Sequence, residues 1–102
     1  MDYVAQFFAG AFLCNCVPHM VGGLQGSSFP TPFAKPPGVG MSSPVLNFAW
    51  GLLNLIVGLV LLTNWPIRIG LNTSFFVFLL GVGLLGAYAS IHFGKVRRAG
   101  PN

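Results

Sequence analysis

The hydrophobic positions of the chain fall into three long stretches, at about residues 3–21, 45–63 and 69–93, and none of them contains a charged side chain. Apolar runs of about 18 residues or more are long enough for a helix to cross the hydrocarbon core of a bilayer. At a rise of about 1.5 Å per residue, the first two reach about 28 Å, and the third reaches about 35 Å and has room to tilt. The pattern predicts an all-α integral membrane protein, with three transmembrane helices in one domain over residues 1–102.

The first stretch has the features of a membrane helix rather than those of a signal peptide. It opens with the acidic Asp2 where a signal peptide has a basic segment, and residues 18–23 show no small-x-small cleavage pattern. Asp2 is also a suitable N-cap, because its carboxylate accepts hydrogen bonds from first-turn amides and complements the helix dipole. We therefore expect a first helix that begins just after Asp2.

A proline-rich loop at about residues 24–43 separates the first two stretches. Its four prolines and three glycines exclude a regular helix. Phe29 and Phe33 make it too apolar for a solvated linker, so we expect an ordered, polyproline-like strap in which both rings are buried against the helix ends or a partner. Lys35 then reaches the lipid headgroups, and the hydroxyl of Ser43 caps the second helix.

The connection between the second and third stretches is expected to be tight. The second helix should end within residues 63–66, because Pro66 lacks an amide hydrogen and disfavours helical geometry in the residue before it. Short connections join neighbouring helices. The second and third helices are therefore predicted to pack as an antiparallel pair.

The composition supports a lipid environment. Of the 102 residues, 54% are hydrophobic and only 6% are charged, against roughly a quarter charged in soluble domains. The net charge of +4 comes from one acid, Asp2, and five bases: Lys35, Arg68, Lys95, Arg97 and Arg98. These bases lie at the ends of apolar runs and form no basic face of the kind that binds nucleic acid. Nucleic acid is therefore excluded as a partner, and the bilayer is expected.

The distribution of the bases predicts the orientation. A cytoplasmic C-terminus places Lys35 and the three bases of the tail at 94–102 inside, and only Arg68 outside. This satisfies the positive-inside rule by four to one. Tyr3 and Trp65 fall near the proposed boundaries, where aromatic rings prefer the headgroup level. We expect an N-out, C-in protein with the proline-rich loop on the inner side.

Several motifs in the first half of the chain resemble a known family. They are NCVPH at 15–19, FPTPFAKPPG at 29–38, SSP at 42–44 followed by Asn47, and WG at 50–51. Together they resemble a family of small, uncharacterised bacterial inner-membrane proteins. The resemblance implies a multi-pass protein of the bacterial inner membrane and implies no chemistry.

The second stretch carries a stripe of small and amide side chains. The stripe consists of Asn47, Gly51, Asn54 and Gly58, whose spacings of four, three and four place them on one helix face. In lipid, helices associate through small residues and through side-chain hydrogen bonds of about 0.6 to 2 kcal/mol each. We expect a helix-packing seam. The alternative is a polar path lined by Asn47 and Asn54.

The third stretch carries a comparable set of small residues. They are Gly83, Gly86, Ala87 and Ser90, at spacings of three or four, with Gly94 one turn further along. Such a surface lets another backbone approach closely. We predict that it packs against the second helix or against a copy of itself.

Two weaker patterns suggest cofactor sites. Cys16, His19 and Met20 are soft ligands of the kind that bind copper(I) or zinc, but no second Cys/His pair completes four ligands. His19 and His92 lie near the same end of their helices, which suits axial ligation of a haem or a proton relay. We expect no cofactor, with haem and copper as alternatives.

The sequence favours a binding role over catalysis. Asp2 is the only carboxylate side chain, and no hydrolase or phosphate-loop motif occurs, so no enzyme is expected. We interpret the protein as an accessory or interaction subunit that binds other membrane-protein subunits or itself. One alternative is a minimal oligomeric transporter or channel; the other is a redox component using His19 and His92. The transporter path would be lined by Asn15, His19, Asn47 and Asn54.

Overall fold

The computed structural model describes residues 2–99. Its elements are α1 (Tyr3–Leu24), β1 (Phe29–Pro30), β2 (Met41–Ser42), α2 (Pro44–Asn64) and α3 (Thr73–Arg98). The three helices contain 22, 21 and 26 residues, and each is long and apolar enough to cross a membrane. The prediction of a mostly helical chain with three candidate spans is confirmed. The N-out, C-in orientation stays a prediction.

The helix ends differ from the sequence-based boundaries for local reasons. Ser43 caps α2 as expected, and its hydroxyl accepts from the amide of Leu46 at 3.1 Å. The predicted cap at Asp2 is wrong, because its backbone lacks the extended geometry of a capping residue and its side chain makes no capping hydrogen bond. At its far end, α3 continues through Lys95 and Arg97, whereas the sequence predicts a separate tail there.

The central element of the bundle is α1, which packs along both α2 and α3, whereas α2 and α3 barely touch. The predicted α2/α3 antiparallel pair is therefore wrong. The third helix begins at Thr73 and not at about residue 69, because Asn72 caps it by accepting a hydrogen bond from the amide of Phe75. The connection at 65–72 is thus long enough to cross from one side of α1 to the other, since an extended residue spans about 3.3 Å.

A pair of glycines brings α1 and α3 into backbone contact. A Cβ atom at Gly10 would collide with the carbonyl oxygen of Phe78, and one at Gly81 would collide with that of Phe7. Each glycine thus faces the backbone three residues before the other. Without side chains at these two positions, the helices approach as closely as transmembrane packing allows.

The proline-rich loop folds into a short β-hairpin, called here the hairpin (residues 29–42). Its strands are antiparallel, with Phe29 opposite Ser42 and Pro30 opposite Met41. The hydroxyls of Thr31 and Ser42 share a 2.6 Å hydrogen bond across it, and the amide of Gly38 donates to the Thr31 carbonyl at 2.8 Å. The loop therefore forms hydrogen bonds across the hairpin instead of the predicted polyproline-like strap. The proline content did not indicate these bonds.

Candidate functional site

A buried asparagine joins two helices and the hairpin. The Asn47 side-chain amide is fully buried, and its Nδ2 donates to the carbonyl oxygens of Phe29, Ser42 and Ser43 at 2.8, 3.1 and 3.1 Å. Its Oδ1 accepts from Nδ1 of His19 at 2.8 Å. Carbonyl oxygens only accept hydrogen bonds, so the Asn47 nitrogen must face them and the Asn47 oxygen must face His19. Because that oxygen also only accepts, His19 Nδ1 is the donor.

His19 sits in an aromatic cage. Only 2% of its surface is exposed, and its ring lies edge-on to Phe29 at a centroid distance of 5.3 Å and to Trp50 and Phe93 at 6.5 Å. With Nδ1 carrying the hydrogen, the neutral ring keeps its lone pair on Nε2. Within residues 2–99, Nε2 makes no hydrogen bond to the chain. The ring is held in place while one nitrogen remains a free acceptor.

The two histidines border one cavity. It has a volume of about 150 Å³, lies between the three helices and the hairpin, and is lined by His19, His92, Asn15 and Trp50 among others. His92 Nε2 donates to the carbonyl oxygen of Gly38 at 2.7 Å and so fastens the hairpin to α3. Among residues 2–99, the buried Trp50 Nε1 has no hydrogen-bond partner. The arrangement places hydrogen-bonding atoms around an interior space near one end of the bundle.

The soft-ligand group is engaged in packing. Cys16 is buried and its Sγ donates to the carbonyl oxygen of Leu13 at 3.0 Å, while Met20 lies against Gly51 of α2. Within the described range 2–99, no group of three or more His, Cys, Asp or Glu side chains is arranged to hold a metal ion. The copper, zinc and haem alternatives stay predictions.

The predicted stripe of α2 faces α1. Its four members are the buried residues of α2: Asn47, Gly51, Asn54 and Gly58. A Cβ at Gly51 would lie 2.8 Å from the Met20 amide nitrogen, and one at Gly58 would lie 2.7 Å from Leu13 Cγ. Asn54 Oδ1 accepts from Asn15 Nδ2 at 3.1 Å. The stripe therefore forms an interface inside one protomer.

The predicted small residues of α3 mostly face away from the bundle. Gly81 is the one buried residue of α3 in the described part of the chain. Three others, called here the outer stripe, are exposed: Gly83, Ala87 and Ser90. A Cβ at Gly83 would meet no atom within 4 Å, whereas a Cβ at Gly86 would lie 3.5 Å from Cys14 Sγ. Within residues 2–99, the outer stripe is thus exposed, and at Gly83 it faces open space.

The three predicted loop residues have different surroundings. Phe29 is half-buried and packs on Phe93 at a centroid distance of 4.7 Å. Phe33 lies edge-on to Trp50 at 5.0 Å but is 58% exposed, so the helix ends do not bury it, and its burial against a partner stays a prediction. Lys35 is exposed. The short strand pairing brings Phe29 inward and leaves Phe33 in the loop at the tip of the hairpin.

Several residues that organise the site were missed. Gly10 and Gly81 make the α1/α3 crossing, and Gly23 of α1 lies against the α2 backbone at Phe48. Gln6 Nε2 donates to the carbonyl oxygen of Pro66 at 3.1 Å and ties α1 to the far end of α2. For the glycines, a small residue inside an apolar run was a usable sign of a helix contact. Nothing in the spacing indicated the partner of Gln6.

The chain has three helices that could cross a membrane, and its buried polar side chains lie on α1, on the stripe of α2 and in the hairpin. No protein-family model, curated protein or solved structure matches the chain. Its function is therefore proposed from its own geometry.

Proposed function

We propose that the protein is an accessory subunit of the bacterial inner membrane that binds another transmembrane helix through the outer stripe of α3. The observation that carries this proposal is the outward direction of Gly83, Ala87 and Ser90. The partner helix belongs either to a second copy of the chain or to a different membrane protein.

The packing inside the protomer supports this use of the outer stripe. Lipid gives helices no hydrophobic reason to associate, so close backbone approach carries much of the attraction. The chain uses glycine at its own helix crossings, at Gly10 and Gly81 and again at Gly51. Gly83 offers the same surface with no atom against it. A helix laid on the outer stripe would make the kind of contact that already holds α1 to α3.

The polarity and shape of the outer stripe also suit a helix. The hydroxyl of Ser90 donates to the Gly86 carbonyl at 2.7 Å, so its hydrogen is already bonded within α3. Leu84 and Ile91, which are 54% and 61% exposed, stand beside the small residues. The result is a shallow groove with an apolar ridge, which matches the ridge-and-groove form of helix contacts.

The alternatives receive less support. In a transporter, the amides of Asn15, Asn47 and Asn54 would line a path between copies. Here Asn47 and Asn54 are 0% and 2% exposed, and all three amides are bonded inside the protomer. A redox role has one supporting observation, the shared cavity of His19 and His92; an absorption spectrum of the purified protein tests it.

Substitution of matched alanines tests the proposal. Ala87 and Ala49 are both exposed alanines of candidate membrane spans, on α3 and α2 respectively. We expect native mass spectrometry of protein extracted in mild detergent to show an assembly. Ala87→Leu should reduce it to the monomer, because the added bulk separates the helices, and Ala49→Leu should leave it intact.

The masses also identify the partner. A multiple of the chain's own mass indicates a homo-oligomer, and an added foreign mass indicates a hetero-complex. A monomeric wild-type protein, or an assembly that Ala87→Leu leaves unchanged, would contradict the proposal.

A further inference from the structure

A second cavity opens on the surface between the hairpin and the last turns of α3. Its volume is about 280 Å³, and its walls include the apolar side chains of Phe29, Met41, Phe93 and Val96. Arg97 lines the same cavity. The groove therefore combines an apolar interior with one permanent positive charge.

Within residues 2–99, Arg97 is the one charged residue that lines this groove, and no acidic side chain lines it. Lys95, Arg97 and Arg98 occupy the last turn of α3, and Lys35 lies in the hairpin. The sole acidic side chain, Asp2, lies at the opposite end of the bundle, beside Asn64 and Ser74. No ion pair involving these four bases occurs within residues 2–99. An anionic group from outside the chain is the natural counter-ion.

The order of apolar and charged groups along α3 matches a lipid. Phe93 and Arg97 are one helical turn apart, which is about 6 Å along the axis. A phospholipid presents the same sequence of chemistry at the membrane surface, an acyl chain followed by a phosphate. The planar guanidinium of arginine binds phosphate oxygens in a bidentate fashion. A free phosphate ion would leave the apolar walls of the groove uncovered, whereas an acyl chain would cover them.

We propose that this groove binds one anionic glycerophospholipid, with an acyl chain between the hairpin and α3 and the headgroup phosphate on Arg97. Met41 supports this position because its side chain is 56% exposed and the acyl chain of the lipid would cover it. Lys95 and Arg98 add attraction for a headgroup of net negative charge, which distinguishes phosphatidylglycerol from zwitterionic phosphatidylcholine. The site is independent of the outer stripe and of any partner helix.

The test compares two arginines at opposite ends of the molecule. Full-length protein is reconstituted in bilayers containing equal phosphatidylglycerol and phosphatidylcholine, and retained lipids are counted by native mass spectrometry. We expect about one retained phosphatidylglycerol per protomer. Arg97→Gln should lower its affinity about tenfold, as expected for loss of a hydrogen bond to a charged group. Arg68→Gln, at an exposed position near the far end of α2, should leave it unchanged.

A second variant tests the acyl-chain part of the groove. Val96→Trp should fill the groove without altering the charge and should also abolish retention, in protein whose helical circular dichroism is unchanged. Equal retention of the two lipids, equal effects of the two arginine substitutions, or full retention by Val96→Trp would overturn the proposal. Displacement of the lipid by millimolar inorganic phosphate would overturn it as well, by showing a site for phosphate alone.

Discussion

His19 of α1 donates its Nδ1 hydrogen to the side-chain oxygen of Asn47 in α2, over 2.8 Å and away from solvent. The same asparagine holds both ends of the hairpin through carbonyl oxygens. One amide therefore fixes the distance between two helices and the position of a loop.

Removal of the Asn47 amide should destabilise the protein. Asn47→Ala removes the side-chain hydrogen bonds to the carbonyl oxygens of Phe29 and Ser42 and from His19 Nδ1 in a buried place, so we expect a loss of about 3 kcal/mol. The Ser43 carbonyl keeps its bond from the backbone amide of residue 47. Unfolding in mixed detergent micelles, followed by helical circular dichroism, measures the loss. Asn64→Ala is the control, because Asn64 is exposed and bonds only one turn back, to Val60. Equal stabilities of the two variants would show that Asn47 is not a structural hub.

Two glycines on α3 should respond oppositely to added bulk. Gly81→Leu places a side chain where the Phe7 carbonyl lies, and we expect a cost of about 3 kcal/mol in protomer stability. Gly83→Leu meets open space and should leave the protomer unchanged or slightly more stable, because leucine has the higher helix propensity. Thermal unfolding in a stronger detergent that dissociates any assembly into monomers separates the two. A larger loss for Gly83→Leu would mean that α3 is rotated from its described position.

The hydrogen bond between Asn15 and Asn54 should have a measurable coupling energy. A double-mutant cycle of Asn15→Ala and Asn54→Ala should give about 0.6 to 2 kcal/mol, the range of side-chain hydrogen bonds between membrane helices. The same cycle with Asn64→Ala in place of Asn54→Ala should give a coupling within about 0.5 kcal/mol of zero, because those residues share no contact. Indistinguishable couplings in the two cycles would argue against the bond.

The contact between His92 and Gly38 should protect the hairpin from proteolysis. His92→Phe keeps an aromatic ring beside Tyr88 but loses the 2.7 Å hydrogen bond to the Gly38 carbonyl. We expect faster chymotrypsin cleavage after Phe33, which is exposed near the tip of the hairpin. Tyr88→Phe preserves the bond and should cleave at the wild-type rate. Wild-type cleavage as fast as that of an unfolded peptide would show that the hairpin is an open linker.

The orientation can be tested with single cysteines in a protein that lacks Cys14 and Cys16. A cysteine at Asn102, which lies outside the described residues, should resist a membrane-impermeant reagent in intact cells if the basic end of the chain is cytoplasmic. Arg68→Cys, in the connection between α2 and α3, should react readily. The reverse labelling pattern would invert the topology.

The helices and one of their interfaces were accessible from sequence because each depends on local spacing. A charge-free apolar run fixes a candidate span whatever its neighbours are. The α2 stripe was equally readable, since amides and glycines share a single face of that helix and the remaining faces carry large apolar side chains.

The rest of the site depends on contacts between distant parts of the chain. Small residues occur on two faces of α3, and spacing alone does not say that Gly81 faces α1 while Gly83 faces outward. The hairpin is held to α3 by the bond from His92 to Gly38, 54 residues apart, and its first strand is held by the bond from Asn47 to Phe29, 18 residues apart. Composition described the loop as rigid and apolar but contained no information on these partners.

The central position of α1 also determines how the molecule comes apart. Side-chain hydrogen bonds connect α1, α2 and the hairpin to one another, whereas in the described range the only side-chain hydrogen bond from α3 to another helix or to the hairpin is the one between His92 and Gly38. The first two helices and the hairpin are thus joined by several side-chain hydrogen bonds, whereas α3 packs on α1 mainly through glycine contacts. During synthesis these elements are translated before α3, because they precede it in the chain. The helix that is synthesised last is thus also the one whose separation from the other two helices and the hairpin breaks the fewest side-chain hydrogen bonds.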